Sequence, residues 1–265
     1  MARKLFMALV YCMMLQIMAV NASGSECGIE AKVMTPGNIS LNFMHVYNEA
    51  FTRPISEATG CKAQLTIAKS LSHLLELSKQ GEHGSMLVPS VYVPYLRKLG
   101  YELLLTGPAL VEILVVNKQS KINSLGDLKG QNVLIYDPLS HSTLVWRKWL
   151  RDENLPNDFA NVVYGGTLDS VLWDVLEGKA SSAVTIKDFL RNMPGKVMDR
   201  LRIVKSEQMK QTSAFLVKAH LSTQLKTRIL ERMRTSKYYR WPDHKPNLLV
   251  PDKIMDAQIK GQLGL

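Results

Sequence analysis

The sequence contains no internal repeat, no low-complexity tract and no heptad run. Solenoids and coiled coils require such periodicity, so both architectures are excluded. The sequence also lacks a glycine-rich nucleotide loop, a spaced set of metal ligands and the separated Ser, His and Asp motifs of a hydrolase. The pattern therefore favours a binding protein over an enzyme, and no cofactor or metal is expected.

Long apolar runs are also scarce, and the clearest lies at the amino terminus. Arg3-Lys4 precede an apolar stretch from Leu5 to Val20, and Val20-Asn21-Ala22 has the small-residue pattern of a cleavage site. The stretch is short for a membrane span, includes Gln16 and is not followed by basic stop-transfer residues. We predict a cleaved signal peptide over residues 1–22 and therefore export; a membrane anchor is the alternative.

Acidic residues are in the minority. The chain has 33 Lys and Arg against 23 Asp and Glu, and removal of residues 1–22 leaves 31 against 23, a net charge of +8. The basic residues are scattered, with only short clusters such as Arg147-Lys148. Because a nucleic-acid site needs a concentrated basic patch, we expect no nucleic-acid partner and interpret the surface as solvated, with a preference for anionic ligands.

Cysteines number three, and Cys12 would leave with the signal peptide. The exported chain would keep Cys27 and Cys61, an even pair in an oxidising compartment, which predicts a disulfide. Free thiols, or a site for a soft metal or arsenic, are the alternatives. Two cysteines without a nearby third ligand make a weak metal site.

Short apolar strands alternate with segments of helical period along the chain. Helices are predicted to begin near residues 41, 71, 140, 168, 188 and 222. Strands are predicted over 31–35, 62–68, 85–88, 102–105, 111–116, 132–136, 162–164, 182–186, 201–205 and 213–218. This alternation is typical of parallel sheets flanked by helices, arranged here as two α/β lobes.

The stretch 131–150 has the clearest local signal. An apolar strand ends at Asp137-Pro138, and Ser140 to Thr143 supply hydroxyl groups where a helix would begin. Because the first N–H groups of a helix have no partner within it, hydroxyls placed there can help to hold a phosphate-like or carboxylate ligand. Ordinary capping of the helix by Ser or Thr is the alternative.

Several motifs together resemble one family. They are the Ser-Leu-Gly-Asp-Leu-Lys-Gly turn at 124–130 before the Val-Leu-Ile-Tyr strand, Asp137-Pro138 with the Ser-His-Ser-Thr turn at 140–143, and Gly165-Gly166 before an amphipathic helix. They are similar to the phosphate, phosphite and phosphonate substrate-binding proteins of bacterial ABC transporters. The resemblance spans most of the chain after residue 22. It implies a periplasmic protein of the type II binding-protein (Venus-flytrap) fold, with two α/β lobes, each a mainly parallel sheet flanked by helices, closing on a ligand.

The resemblance also implies site residues. The family's Asp-Pro-x-Ser-x-Ser signature falls on Asp137, Pro138, Ser140 and Ser142, and its Gly-Pro-x-x-Tyr turn matches 88–92. The implied ligand contacts are therefore Ser140, His141, Ser142, Thr143, Tyr92 and Asp169. For Tyr92 the alternative is a core aromatic residue, and for His141 a surface residue.

The chain departs from the family pattern at three places in this region. Leu168-Asp169 stands where the family usually has His-Asp, and Thr143-Leu144 stands where it usually has Ser-Gly. The segment Lys69-Ser70-Leu71 lacks the family's usual tyrosine. Since a buried oxyanion needs most of its oxygens satisfied, these losses predict a ligand that differs in detail.

The resulting hypothesis is a monomeric protein that captures a small anionic solute and delivers it to an ABC permease. The alternative is a sensory binding protein that signals to a membrane receptor or histidine kinase. We expect lobe 1 over residues 23–114, lobe 2 over 115–207, and a return to lobe 1 with carboxyl-terminal helices over 208–265. The aromatic tail, Tyr238, Tyr239 and Trp241, is expected to pack on the first lobe or to contact a partner.

Overall fold

The computed structural model describes residues 27–37, 44–191, 193–211, 213–235 and 250–265. The predicted signal peptide and the aromatic tail at 238–241 lie outside these ranges. Within them, the strands are β1 (Lys32–Pro36), β2 (Gln64–Ala68), β3 (Ser85–Pro89), β4 (Tyr101–Thr106), β5 (Ala109–Asn117), β6 (Asn132–Ile135), β7 (Asn161–Tyr164), β8 (Ser182–Ile186), β9 (Leu201–Gln211) and β10 (Ser213–Lys218).

The first helix, α1, has three consecutive parts: Met44–Tyr47, the π-helical Asn48–Thr52, and Arg53–Thr59. The later α-helices are α2 (Leu71–Gln80), α3 (Val93–Lys98), α4 (His141–Asp152), α5 (Ser170–Leu176), α6 (Lys187–Arg191), α7 (Gly195–Met198), α8 (Thr223–Arg234) and α9 (Lys253–Leu263). Short 3₁₀ turns cover Ile29–Ala31, Ser90–Tyr92 and Leu125–Leu128. Among the residues that the structure describes, no helix is both long and apolar enough to cross a membrane.

Two five-stranded sheets organise these elements. The first has the order β2-β1-β3-β10-β4 and defines lobe 1, and the second has the order β7-β6-β8-β5-β9 and defines lobe 2. The pairs around β1 and β6 are parallel, as predicted, whereas β10 and β5 run antiparallel to both of their neighbours. The α/β two-lobed prediction is confirmed, and each sheet is mixed because it contains strands that have crossed from the other lobe.

The crossings lie between β4 and β5 and between β9 and β10. There the Gly107 N–H donates to the Ser213 carbonyl at 2.8 Å, so the two connections run side by side. We propose lobe limits drawn at these crossings, near residues 107 and 212, instead of at 114 and 207.

Lobe 1 has a core on each face of its sheet. On one face, α2 begins at the N-cap Ser70, whose hydroxyl accepts from the His73 N–H at 3.1 Å, and ends at Gly81, which has a left-handed φ of 71°. Its buried Leu71, Leu74 and Leu75 pack with α3 and α9. On the other face, α8 buries Ile229 and Met233 against α1, which confirms the predicted packing of this helix on lobe 1.

Lobe 2 is packed in the same way. Helix α4 buries Trp146 and Trp149 against its sheet. On the opposite face, α5 buries an apolar stripe, in which Val171, Leu172 and Val175 are at most 1% exposed. The amphipathic helix predicted after Gly165-Gly166 is therefore present, and its apolar face is part of the core.

The carboxyl-terminal segment contacts both lobes through Asp252. Asp252 caps α9 of lobe 1 by accepting from the Met255 N–H at 2.9 Å. The same carboxylate forms an ion pair with Arg147 of α4 in lobe 2, at 3.2 Å, with both side chains largely buried.

The Cys27–Cys61 disulfide is present, with a Cα–Cα distance of 5.8 Å. The predicted pairing is confirmed, and it ties the segment before β1 to the turn between α1 and β2. Among the described residues, no group of three or more His, Cys, Asp or Glu is placed to hold a metal ion.

Candidate functional site

The candidate site lies between the lobes, at the carboxyl ends of parallel strands from both sheets. Ligands of open α/β sheets bind outside such strand ends. The remaining space is small, about 20 Å³, which is room for about one water molecule. Its lining residues are Pro36, Gly37, Lys69, Ser70, Leu71, Tyr136, Asp137 and Gly166.

Ser140 and Thr143 converge on one acceptor at the start of α4. Ser140 Oγ donates to the Asp137 carbonyl at 2.6 Å, and Thr143 Oγ1 donates to the same carbonyl at 2.8 Å. Ser140 Oγ also accepts from the Thr143 N–H at 3.2 Å, so Ser140 caps the helix. Both hydroxyls can rotate toward a new acceptor, and their role in ligand binding stays a prediction.

Ser142 faces a carboxylate that sequence reasoning missed. Its hydroxyl donates at 2.9 Å to Oε2 of Glu112, a fully buried residue of β5. Glu112 Oε1 has no hydrogen-bond partner among the described residues. Burial raises the pKa of Glu112 to about 7, although the Ser142 hydrogen bond opposes the shift. The sequence signal was an acidic residue inside the otherwise apolar strand at 109–116, where unpaired charge is costly.

Ser142→Ala should therefore affect stability as well as binding. The substitution removes the hydrogen bond to Glu112 and leaves that buried carboxyl without a donor, so we expect the free energy of unfolding to fall by about 1–3 kcal/mol at pH 8. Chemical denaturation of the wild type and the variant would measure this. Ser72→Ala, in the partly buried second position of α2 in lobe 1, is a matched control. Equal stability of Ser142→Ala and the wild type would contradict the prediction.

His141 is buried, so the interpretation of His141 as a surface residue is wrong. Its side chain is 6% exposed, and Nε2 has no hydrogen-bond partner among the described residues. Burial lowers its pKa to about 4, so the imidazole is neutral at physiological pH. A neutral imidazole can donate one hydrogen bond and accept another, but adds no positive charge to the site.

The buried imidazole predicts a pH-dependent stability. Between pH 4 and 6.5 the unfolded chain binds a proton at His141 that the folded chain does not, so the contribution of His141 to stability falls as the pH decreases through this window. Relative to His141→Asn, the wild type should lose about 2 kcal/mol of stability between pH 7 and pH 5. Denaturation curves at both pH values would test this, with the exposed His220→Asn as control. Parallel pH profiles for the wild type and His141→Asn would contradict it.

Tyr92 connects the two lobes. Its ring is fully buried in the lobe 1 core, and its hydroxyl donates to the Leu139 carbonyl of lobe 2 at 2.8 Å. Burial raises the pKa of Tyr92 well above its ordinary value, so the hydroxyl stays protonated and remains a donor. Tyr92 is thus a core aromatic residue whose polar end lies at the interface between the lobes.

Asp137 also connects the lobes. The sequence placed this residue in the turn before α4, but it did not predict a contact with lobe 1. Oδ1 accepts from the Leu139 N–H in its own turn at 2.8 Å. Oδ2 accepts from the Leu71 N–H, at the start of α2 in lobe 1, at 2.9 Å. The residue is 6% exposed, and burial raises its pKa against the opposing effect of these two hydrogen bonds.

Asp169 lies in the glycine-rich loop, half-buried. Its Oδ1 accepts from Thr167 Oγ1 at 2.8 Å within the same loop. The neighbouring Leu168, at the position of the family's usual histidine, packs in the same apolar cluster as Tyr92 and Leu71. Of the predicted site residues, Ser140 and Thr143 donate to the same carbonyl. Ser142 donates instead to Glu112, and Asp169 accepts from Thr167 within its own loop.

Two α/β lobes that share crossing strands and close on a cleft define the class of periplasmic binding proteins. A family model described as the periplasmic substrate-binding protein of phosphonate ABC transporters matches residues 44–246. This is most of the chain, and the protein therefore belongs to that family of solute-binding proteins. The match favours solute capture over the sensory alternative. A search of curated protein sequences finds no match.

Solved structures support the type II fold. PhnD1 from Prochlorococcus marinus, in complex with methylphosphonate, has a TM-score of 0.67 at 11% identity, covering 88% of this chain and 97% of that one. A binding-protein component of a phosphonate ABC transporter from Pseudomonas aeruginosa has a TM-score of 0.64 at 12% identity, covering 88% and 95%. A Xanthomonas citri protein bound to chloride has a TM-score of 0.60 at 14% identity, covering 88% and 96%.

Proposed function

We propose that the protein captures a small oxyanion of the phosphonate or phosphate class between its lobes in the periplasm and delivers it to an ABC permease. The observation that carries this proposal is the start of α4. It holds the hydroxyl groups of Ser140 and Thr143 on the carbonyl of Asp137, and Asp137 lines the interlobe cavity. The proposed ligand contacts are Ser140, His141, Ser142, Thr143, Tyr92 and Asp169.

Lobe closure supplies the mechanism of capture. The first turn of α4 lies in lobe 2, whereas Tyr92 and the start of α2 lie in lobe 1, so a solute held by both sets of donors stabilises the closed arrangement. Ser140 and Thr143 would redirect their hydroxyls from the Asp137 carbonyl to the solute oxygens. We propose a monomer that acts by binding and release, and membership of a family of solute-binding proteins supports binding as its activity.

A thermal-shift screen tests the proposal. The protein from residue 23 onward would be screened against methylphosphonate, phosphite, phosphate, sulfate and small carboxylates. A ligand at a hundred times its dissociation constant should stabilise the folded state by about 2.7 kcal/mol, a rise in melting temperature of about 5–10 °C. A rise with phosphonates or phosphate and not with carboxylates supports the proposal. No rise with any member of the panel would contradict it.

A further inference from the structure

At the cleft, the Asp137 carboxylate and the Tyr92 hydroxyl each form a hydrogen bond that crosses between the lobes. The Asp137 carboxylate of lobe 2 accepts from the Leu71 N–H of lobe 1 at 2.9 Å, and the Tyr92 hydroxyl of lobe 1 donates to the Leu139 carbonyl of lobe 2 at 2.8 Å. Both are buried. Asp137 contributes the charged member, and hydrogen bonds to a charged group are about twice as strong as neutral ones.

Apolar side chains seal the region around these bonds. One continuous cluster combines Leu71 and Tyr92 of lobe 1 with Leu139, Leu144 and Leu168 of lobe 2. The low local polarity strengthens a charge-assisted hydrogen bond. The cavity that remains, about 20 Å³, has Asp137 and Leu71 in its wall.

An oxyanion that reaches this cavity meets the Asp137 carboxylate directly. A tetrahedral anion is far larger than one water, and two negative charges side by side in an apolar setting repel each other. The N–H that Asp137 occupies is also a donor that such an anion would need. Entry of the solute therefore requires that Asp137 leave the Leu71 N–H.

We propose that Asp137 is an interlobe latch and the residue that sets solute affinity, because an incoming oxyanion must displace its carboxylate from the start of α2. The affinity part of this inference rests on the proposed function, whereas the latch itself does not. In this proposal the contact between Asp137 and Leu71 favours the closed arrangement of the lobes. Solute binding is then an exchange of one anion for another at the same donor.

The test uses two complementary variants. Asp137→Asn keeps the size of the side chain, but a single carbonyl oxygen cannot accept from both Leu71 and Leu139 as the carboxylate does. Leu71→Pro removes the donor from the other side. Leu71 is the first residue of α2, where proline is tolerated, and Ser70 before it is extended, as a residue preceding proline must be. Circular dichroism would confirm that both variants fold.

Electron–electron distance measurements report the latch without any solute. Spin labels would be placed at the exposed Lys98→Cys in lobe 1 and Lys129→Cys in lobe 2, since Cys27 and Cys61 are already paired. We expect one short distance population in the unmodified background and a larger population at longer distances in Asp137→Asn and in Leu71→Pro. The variant that carries both Asp137→Asn and Leu71→Pro should show distances no longer than those of either single variant, because all three variants lack the same hydrogen bond. Asp158→Asn, in an exposed loop of lobe 2, is the matched control.

An unchanged distance distribution in both variants would overturn the latch. In a second arm, calorimetric titration with methylphosphonate and phosphate should show affinity on the order of tenfold tighter in Asp137→Asn, since a larger fraction of the protein is open to solute. Weaker binding by this variant would make Asp137 a solute contact and overturn the competitor role. If the variants open the lobes but neither they nor the wild type bind the solutes, the latch is supported and the proposed function is contradicted. The failure of the latch and the failure of the proposed function can therefore be told apart.

Discussion

Replacing Glu112 with glutamine should stabilise the protein relative to the wild type by about 3 kcal/mol more at pH 8 than at pH 4. Glu112 is fully buried on β5, and burial raises its pKa from 4.5 to about 7. Between these two values the folded chain holds a proton on Glu112 that the unfolded chain has lost. The contribution of Glu112 to the stability of the wild type therefore decreases as the pH rises through this window, and a glutamine removes this contribution.

The surroundings of Glu112 explain why the carboxylate form is unfavourable. Ser142 is its hydrogen-bond donor, while Ile186 on β8 and Glu207 on β9 lie directly opposite it in the sheet. Neither offers a positive charge. Urea denaturation of both proteins from pH 4 to 8 would measure the effect, with the exposed Glu231→Gln as a matched control. A constant difference between the wild type and Glu112→Gln across this range would show that Glu112 does not titrate there.

Removing the disulfide should have an effect of similar size. The bond closes a loop with a sequence separation of 34 residues. In the chain-entropy description, opening a loop of this length reduces the free energy of unfolding by about 4 kcal/mol. The expected result is a melting temperature lower by about 8–15 °C for Cys27→Ser with Cys61→Ser.

The readout for the disulfide is calorimetry under oxidising and reducing conditions. The wild type should lose stability when reduced, while the double serine variant should not respond to the reductant. Because the bond lies at the edge of lobe 1, outside the residues around the cleft, solute affinity should be unchanged. A wild type that melts at the same temperature in both conditions would mean that the thiols are unpaired in solution.

Much of the fold follows from local sequence pattern. Strands such as Ser85–Pro89 are short apolar runs between turn residues, and α5 has a clear apolar stripe, so both could be predicted. The antiparallel placement of β5 and β10 could not. It depends on which sheet each crossing strand joins, and a local pattern contains no information about partners so distant in the chain.

The site was less predictable than the fold. The hydroxyl-rich turn at Ser140 could be predicted from the sequence because capping residues have a fixed spacing. The structure confirms that Ser140 caps α4. The residues that contact this turn from other parts of the chain could not be predicted. Glu112 lies 30 residues from Ser142, and Leu71 lies 66 residues from Asp137, so only tertiary packing brings them together. The burial of His141 was missed for the same reason.

Oxyanion capture between the lobes can be observed directly by a titration followed by amide nuclear magnetic resonance. Methylphosphonate would be added to the ¹⁵N-labelled protein from residue 23 onward, and the N–H signals of Leu71, Ser142 and Thr143 would be observed. If the solute binds between the lobes, these signals from both lobes should shift together and saturate at one dissociation constant. Saturable binding that leaves all three signals in place, or no response up to millimolar solute, would contradict it.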